Sequence, residues 1–304
     1  MPRNYPAISI VTPSYNQGMY LEATIKSVID QSYPDLEYII IDGGSNDESI
    51  DIIKKYSNKL SYWISEPDHG HADALNKGFN QSNGEIMAWI NSDDMLTPWS
   101  LNCVSQIFTE FPEVEWIQGF TSVWNNQGEM ISATRNPKNI YDFLSGNYAW
   151  IQQESVFWRR SLWEKAGGFI SEKTRYMVDG ELWSRFFTHG ILYNLDCIIG
   201  GYSLHNSNRA AKHINQCITE MHHAISAMER RCDSKTLKNA KDLRRLKTLS
   251  QLPISKRVIG SDRALSFLLR TLARGYRDDL KYPLITWDGN ASSWKIVHVP
   301  YQVH

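Results

Sequence analysis

Four short polar stretches, each directly behind an apolar run of strand length, hold the residues of this chain best suited to chemistry: Thr12-Pro13-Ser14-Tyr15-Asn16, Asp42-Gly43-Gly44-Ser45, Glu66-Pro67-Asp68 and Asn91-Ser92-Asp93-Asp94. Adjacent carboxylates such as Asp93 and Asp94 have a defined use. A hard divalent cation, Mg2+ or Mn2+, binds carboxylate and diphosphate oxygens together while keeping some water. In a tight turn one carboxylate can face the metal and the other a ribose hydroxyl. The same pair serves equally well as the N-cap of a helix starting near Pro98. Asp42 ends a buried run, and the two glycines behind it let the backbone turn sharply or approach a ligand closely. Its carboxylate can accept a hydrogen bond from a uracil-type N–H. The glycine order matches neither a dinucleotide fingerprint nor a P-loop, which disfavours dehydrogenases and ATPases.

The elements that must position these stretches follow from periodicity. Ala7 to Thr12, Leu36 to Ile41, Ser61 to Ser65 and Glu85 to Ile90 read as strands. Leu21, Ile25, Val28 and Ile29 fall at helical spacing, and Asp47 to Tyr56, Ala72 to Asn80 and a segment from about Pro98 also read as helices. Strands alternating with helices predict a mostly parallel, Rossmann-like sheet covered by helices, an α/β fold. In such a sheet the ligand crevice lies beyond the carboxyl ends of the strands, so the four polar stretches converge on one edge. Further on, strands are expected near 115–124, 152–158 and 192–196, a helix over 180–189, one or two long charged helices over 210–250, and β or irregular structure from Tyr282.

Composition excludes other classes. The 304 residues are 42% hydrophobic and 21% charged, enough for one large domain with an appendage. Cys103, Cys197, Cys217 and Cys232 lie far apart without C-x-x-C spacing, which suggests neither a disulfide framework nor a zinc knuckle and fits a reducing cytosol. No run approaches the roughly 18 apolar residues of a membrane-spanning helix. The net charge of −1 hides an asymmetry: residues 230–281 hold 15 Lys/Arg against 5 Asp/Glu, which is +10 and leaves −11 elsewhere. A basic region of this kind suggests an anionic partner such as a lipid headgroup. It lacks the aromatic interleaving of a nucleic-acid platform, so no nucleic-acid partner is expected.

Taken together, the four stretches, Ser27 to Gln31 with Tyr33-Pro34, Asp73-Ala74-Leu75-Asn76-Lys77-Gly78 and Gly84-Glu85 stand in an order and spacing that resembles family 2 glycosyltransferases. The resemblance covers about residues 6–205 and is strongest in the first hundred. It implies a GT-A fold over residues 1–208, with a nucleotide-sugar-binding half (1–97) and an acceptor-binding half (98–208). A mainly helical, basic extension is then expected over 209–304.

The resemblance also distributes roles. Thr12, Pro13 and Tyr15 would line the nucleotide and Asp42 would hold the base. Asp93 would contact the ribose or donor sugar, and Asp94 would bind the divalent cation. Asn91 departs from the commoner Asp of that motif and leaves one fewer charge. Asp68, Asp73 and Lys77 fall beside the nucleotide and donor sugar, with Lys77 or His71 near the diphosphate; the plainer reading of His71 is a surface histidine. In the second half, Asp179-Gly180-Glu181-Leu182-Trp183-Ser184-Arg185 resembles the family segment that carries the general base. Asp179 is the expected base and Glu181 its rival. Trp150, Gln152 and Gln153 fall at acceptor positions, His205 near the metal or diphosphate, and Arg209 within reach of a phosphate. Gly167-Gly168-Phe169 resembles the family's structural turn.

The implied activity is inverting transfer of a hexosyl or N-acetylhexosaminyl group from a nucleotide-diphosphate sugar, a UDP-sugar first among them, to an acceptor hydroxyl. The setting by family frequency is bacterial surface polysaccharide or lipid-linked glycan assembly, in the cytoplasm or at the inner face of the membrane. Without a Q-x-x-R-W motif or membrane spans, a processive synthase is not expected. A non-catalytic nucleotide-sugar-binding protein is the alternative. Leu265, Leu268, Leu269, Leu272 and Tyr276 share one helical face that suits a membrane interface, the catalytic domain or a second subunit of a homodimer.

Overall fold

The computed structural model describes residues 5–125, 127–146, 151–205, 213–250 and 280–300. Trp150, Arg209 and the apolar face over 265–276 lie outside them.

The first half alternates as its periodicity predicts: β1 (Ile8–Ser14), α1 (Gly18–Ile29), β2 (Leu36–Asp42), α2 (Ser49–Tyr56), β3 (Tyr62–Ser65), α3 (His71–Asn80), β4 (Ile86–Trp89), β5 (Met95–Leu96) and α4 (Ser100–Glu110). Every residue of β1 and of β4 is buried, because helices cover both faces of a parallel sheet. Register sets the polar ends in a row: Ser14 is level with Asp42, and Asp42 with Ser65.

The second half holds β6 (Trp116–Gln118), β7 (Thr121–Trp124), β8 (Met130–Thr134), α5 (Ile140–Leu144), β9 (Val156–Arg159), α6 (Arg160–Lys165), α7 (Val178–Phe186), β10 (Leu192–Leu195) and β11 (Gly200–Ser203). The single strand expected over 115–124 is two strands in two sheets. The chain breaks at Gly119, where an added Cβ would lie 2.8 Å from the Cys197 carbonyl oxygen. The strand expected over 152–158 begins instead with a 3-10 turn, Gln153–Ser155.

Beyond these lie α8 (Ile214–Glu229), α9 (Ser234–Ser250), β12 (Lys281–Asp288) and β13 (Ser293–Pro300). The nine-stranded main sheet runs β13-β12-β10-β6-β9-β4-β1-β2-β3, and β5-β11-β7-β8 form a second sheet. Strand order reverses between β1 and β4, so the crevice opens over their carboxyl ends. The boundary expected at 208 does not separate two bodies. β12 pairs in parallel with β10, and Tyr282, Leu284 and Ile285 are buried in the core.

Under the site the core is a cluster of indoles. Trp89 and Trp183 stack with centroids 5.6 Å apart and planes 13° off parallel, and Trp116 and Trp158 pack against Trp183. These tryptophans are structural: all four are buried.

Candidate active site

The crevice floor is the loops behind β1 and β2, stitched together. Asn16 N–H donates to Ser45 Oγ (2.8 Å) and Asn46 N–H to Asn16 Oδ1 (2.9 Å), which holds Asn16 at a positive φ of 52°. Asp42 does not reach the crevice as expected. Its carboxylate is fully buried and accepts from Ser45 Oγ (2.5 Å), Ser65 Oγ (2.7 Å) and the N–H groups of Gly44 (3.1 Å) and Ser45 (2.9 Å). With four donors satisfied it fixes the turn and has little capacity left for a base. The nearby Asp68 is better placed. Its Oδ1 accepts from Gly70 N–H (2.8 Å), and its Oδ2 hangs over Gly43, 2.7 Å from where a Cβ would stand.

Thr12 is packed inward against the Tyr38 hydroxyl (3.1 Å) and Pro13 is buried, so Tyr15, 61% exposed, is the side chain of that stretch that meets solvent. Ser14 Oγ is buried without a hydrogen-bond partner. Lys77 is held at the rim by Glu66 (3.0 Å) and Asp73 (3.5 Å) rather than over the crevice. Asp73 also accepts from His69 N–H (3.0 Å), which lowers its pKa ahead of the pull from Lys77. His71 is no idle surface histidine. Its Nε2 donates to Asn91 Oδ1 at 3.1 Å.

Asn91 is the hub of the acidic turn. Its amide donates to Asp94 Oδ2 (3.1 Å) and Gln153 Oε1 (3.2 Å). An aspartate there could donate to neither and would add a charge beside Asp94, which accounts for the amide.

The two carboxylates of the turn point to different places. Asp94 is 1% exposed, and its Oδ1 accepts from Ser203 N–H (2.8 Å) in β11. Burial, then the charges of Glu154 in the 3-10 turn and of Asp93, raise its pKa well above the carboxylate range. Burial likewise pushes Glu154 up to about 7. Asp94 is thus enclosed, with Oδ1 on the Ser203 N–H and Oδ2 on the Asn91 amide. Asp93 is the carboxylate that looks outward: its side chain keeps 19% exposure, and its Oδ2 lies 3.0 Å from His205 Nε2. The His205 ring is stacked on Tyr20 with centroids 4.5 Å apart.

Gln153, expected on the acceptor side, is buried, with its amide spent on Trp89 O (2.6 Å) and Asn91. Gln152 is bound in the same way to the Ser122 backbone. The rivals for general base also separate. Glu181 forks onto Arg185 (3.0 and 2.9 Å), and Arg185 in turn holds the carbonyls of Ala166 and Phe169, fixing the Gly167-Gly168-Phe169 turn. Asp179 is half-buried on the first turn of α7. Burial raises its pKa to about 6 against the pull of the Gly180 N–H, with a smaller upward push from Glu220. It lies near enough to Glu154 to raise that group as well.

The centre is therefore Asp93, Asp94, Glu154 and Asp179 with His205, a concentration of negative charge that also lifts the Tyr202 phenol, after burial, to about 12. Among the described residues no three His, Cys, Asp or Glu side chains converge as a ready metal cage. Asp93 and His205 form a partial donor set of carboxylate and imidazole. That suits an ion which takes its remaining ligands from phosphates and water. Glu154 and Tyr20 carried no local signal in the sequence, whereas Ser203 lies in the Tyr202-Ser203-Leu204-His205 stretch that resembles the family's last motif.

Known proteins agree with this architecture. The family model described as glycosyl transferase family 2 matches residues 9–176, more than half of the chain. An uncharacterized glycosyltransferase of Nostoc sp. is 27% identical over 213 residues, 66% of each protein. A putative teichuronic acid biosynthesis glycosyltransferase of Bacillus subtilis is 39% identical over 92 residues, 29% of this chain and 36% of that protein. The chain spans about two thirds or less of the length of the curated relatives it matches. Among solved structures, S. aureus TarS 1-349 in complex with UDP-GlcNAc aligns with a TM-score of 0.63 at 14% identity, covering 89% of this chain and 75% of that one. A Pyrobaculum calidifontis mannosyltransferase in complex with GDP-Man and Mn2+ aligns at 0.53 and 17%, covering 90% and 81%. These likenesses establish the GT-A type of fold, and with the family match spanning the crevice and the acidic turn, the chain belongs to glycosyl transferase family 2.

Proposed function

We propose that this chain transfers a glycosyl group from a nucleoside-diphosphate sugar to an acceptor hydroxyl with inversion. The observation that carries the reading is Asp179, a half-buried carboxyl with a pKa of about 6 that belongs to the same acidic centre as the outward-facing Asp93. A general base of that pKa is mostly ionised at neutral pH and still able to take a proton.

Asp68 and Tyr15 receive the nucleoside above Gly43, and His71 stands at the diphosphate end of the crevice. Asp179 takes the proton of the acceptor hydroxyl as its oxygen attacks the anomeric carbon. The bond from that carbon to the diphosphate breaks, and its electron pair leaves with the nucleoside diphosphate. Attack opposite the leaving group inverts the anomeric configuration. A divalent cation, Mn2+ or Mg2+, held at Asp93 with His205 beside it, supplies charge stabilisation to the diphosphate when bound.

UDP is the expected nucleotide and a hexosyl or N-acetylhexosaminyl group the cargo. The Bacillus subtilis relative favours surface glycan assembly as the setting. Among the described residues no helix is long and apolar enough to cross a membrane. A groove between α8 and α9 is lined by Ser226, Glu229, Arg230, Leu237, Lys241 and Arg244, with Arg244 paired to Glu229; Arg230 and Lys241 are the cations there that suit contact with anionic headgroups near a lipid-linked acceptor.

Calorimetric titration with UDP, with and without Mn2+, followed by a panel of UDP-sugars and GDP-mannose, tests the reading. Metal-dependent binding should vanish in Asp93→Ala. Asp179→Asn should bind donor normally and turn over roughly 10²–10⁴-fold more slowly. Binding without turnover of any donor would favour a nucleotide-sugar-binding protein, and no binding at all would reject both.

A further inference from the structure

α8 meets the loop that delivers Asp179 at several successive places. The His213 ring, just ahead of the helix, stacks on Tyr176 with centroids 4.5 Å apart. One carboxylate of the helix, Glu220, accepts three consecutive backbone N–H groups: Arg175 onto Oε1 (3.0 Å), and Tyr176 and Met177 onto Oε2 (2.9 Å each). One residue further, Met221 packs on Gly180 so closely that a Cβ there would stand 2.2 Å from its sulfur.

Residues 175–177 lead straight into α7, and Met177 is its N-cap. Three N–H groups gathered on one anion fix the φ/ψ of the segment more firmly than scattered neutral bonds, because charge-assisted hydrogen bonds are about twice as strong. Nothing within the loop itself supplies such an anchor. The anchor comes from an element that the sequence assigned to a separate extension.

We propose that Glu220 is a positioning residue for the transfer reaction: by clamping the backbone of 175–177 it sets where the Asp179 carboxylate stands. The proposal rests on the reading of Asp179 as the base. The negative charge of Glu220 also faces Asp179, as does that of Glu154 from the 3-10 turn, while Cys217 on α8, its thiol pushed up by burial, stands by as a neutral group; on α7 itself the charged groups are the paired Glu181 and Arg185. Removing one of these anions favours the ionised form of Asp179.

The test uses the full chain with Glu220→Gln and Glu220→Ala, and its first two readouts need no ligand. Hydrogen exchange of the 175–177 amides should quicken at least roughly tenfold in both variants. A 13C carboxyl NMR titration, with the Asp179 signal assigned by its loss in Asp179→Asn, should show its midpoint fall below the parent's about 6 in Glu220→Gln. Turnover of the donor found active should fall roughly ten- to hundredfold with donor KM unchanged. Unchanged exchange overturns the clamp, and faster exchange with an unmoved Asp179 midpoint overturns its reach to the base. Full turnover in Asp179→Asn would instead sink the base assignment and leave the exchange result standing.

Discussion

Asp94 and Glu154 are neighbouring buried carboxyls, and burial raises the pKa of each above the usual carboxylate range. The arrangement costs stability. A carboxyl whose folded pKa is raised keeps its full contribution below the unfolded value, and that contribution is lost as pH climbs through the folded value, here about 7 for Glu154. Glu154→Gln should therefore melt higher than the parent at pH 8 without divalent cation, by on the order of 2 kcal/mol. At pH 5 the gain should shrink towards zero; an equal gain at both pH values would refute the account. The sequence shows the pair Asp93-Asp94 plainly but not which of them looks outward. That is decided by Ser203 N–H, 109 residues away, which captures Asp94. Glu154 was equally unreadable, since it lies in a run otherwise taken for an apolar strand.

At the level of elements, β11 does the arranging. It carries Ser203 to Asp94 and delivers His205 to Asp93. It lies this deep because Gly200 has no side chain: a Cβ would stand 1.9 Å from the Glu154 carbonyl oxygen, which is backbone and cannot swing aside. Gly200→Ala should cost roughly 1–3 kcal/mol in denaturant unfolding. It should also weaken Mn2+-dependent UDP binding, whereas normal stability would mean that the strand shifts freely. Apart from the two-residue β5, the strands and helices of the first hundred residues were legible to within a residue or two, because each buries a continuous apolar run or one helical stripe. β11 was not. Its Gly-Gly-Tyr-Ser has no alternation, and its place comes from partners distant in sequence, β5 and β7. The long charged helices expected over 210–250 divide into α8 and α9, and α8 turns a buried stripe of Cys217, Met221, Ala224, Ile225 and Met228 inward.

For the molecule as a whole, the main sheet crosses the boundary drawn at 208. The split between an acidic body and a basic tail, clear in the sequence, describes charge and not packing. β12 gives Ile285 O to Asp196 N–H (2.8 Å) and Pro283 O to the Asn194 amide (3.2 Å). A chain ending at Leu280 should lose its cooperative melting transition by circular dichroism; a melt like the parent's would show the last hairpin to be dispensable. The parallel pairing of β10 with β12 also fixes an order in time. Chains leave the ribosome from the amino end, and domains form as their segments emerge. The crevice floor, stitched from the loops behind β1 and β2, can close early. The loop ahead of Asp179 must wait for Glu220, and the edge of the sheet for residues 281–300. A nascent chain thus closes the floor of its crevice well before the loop ahead of Asp179 is anchored.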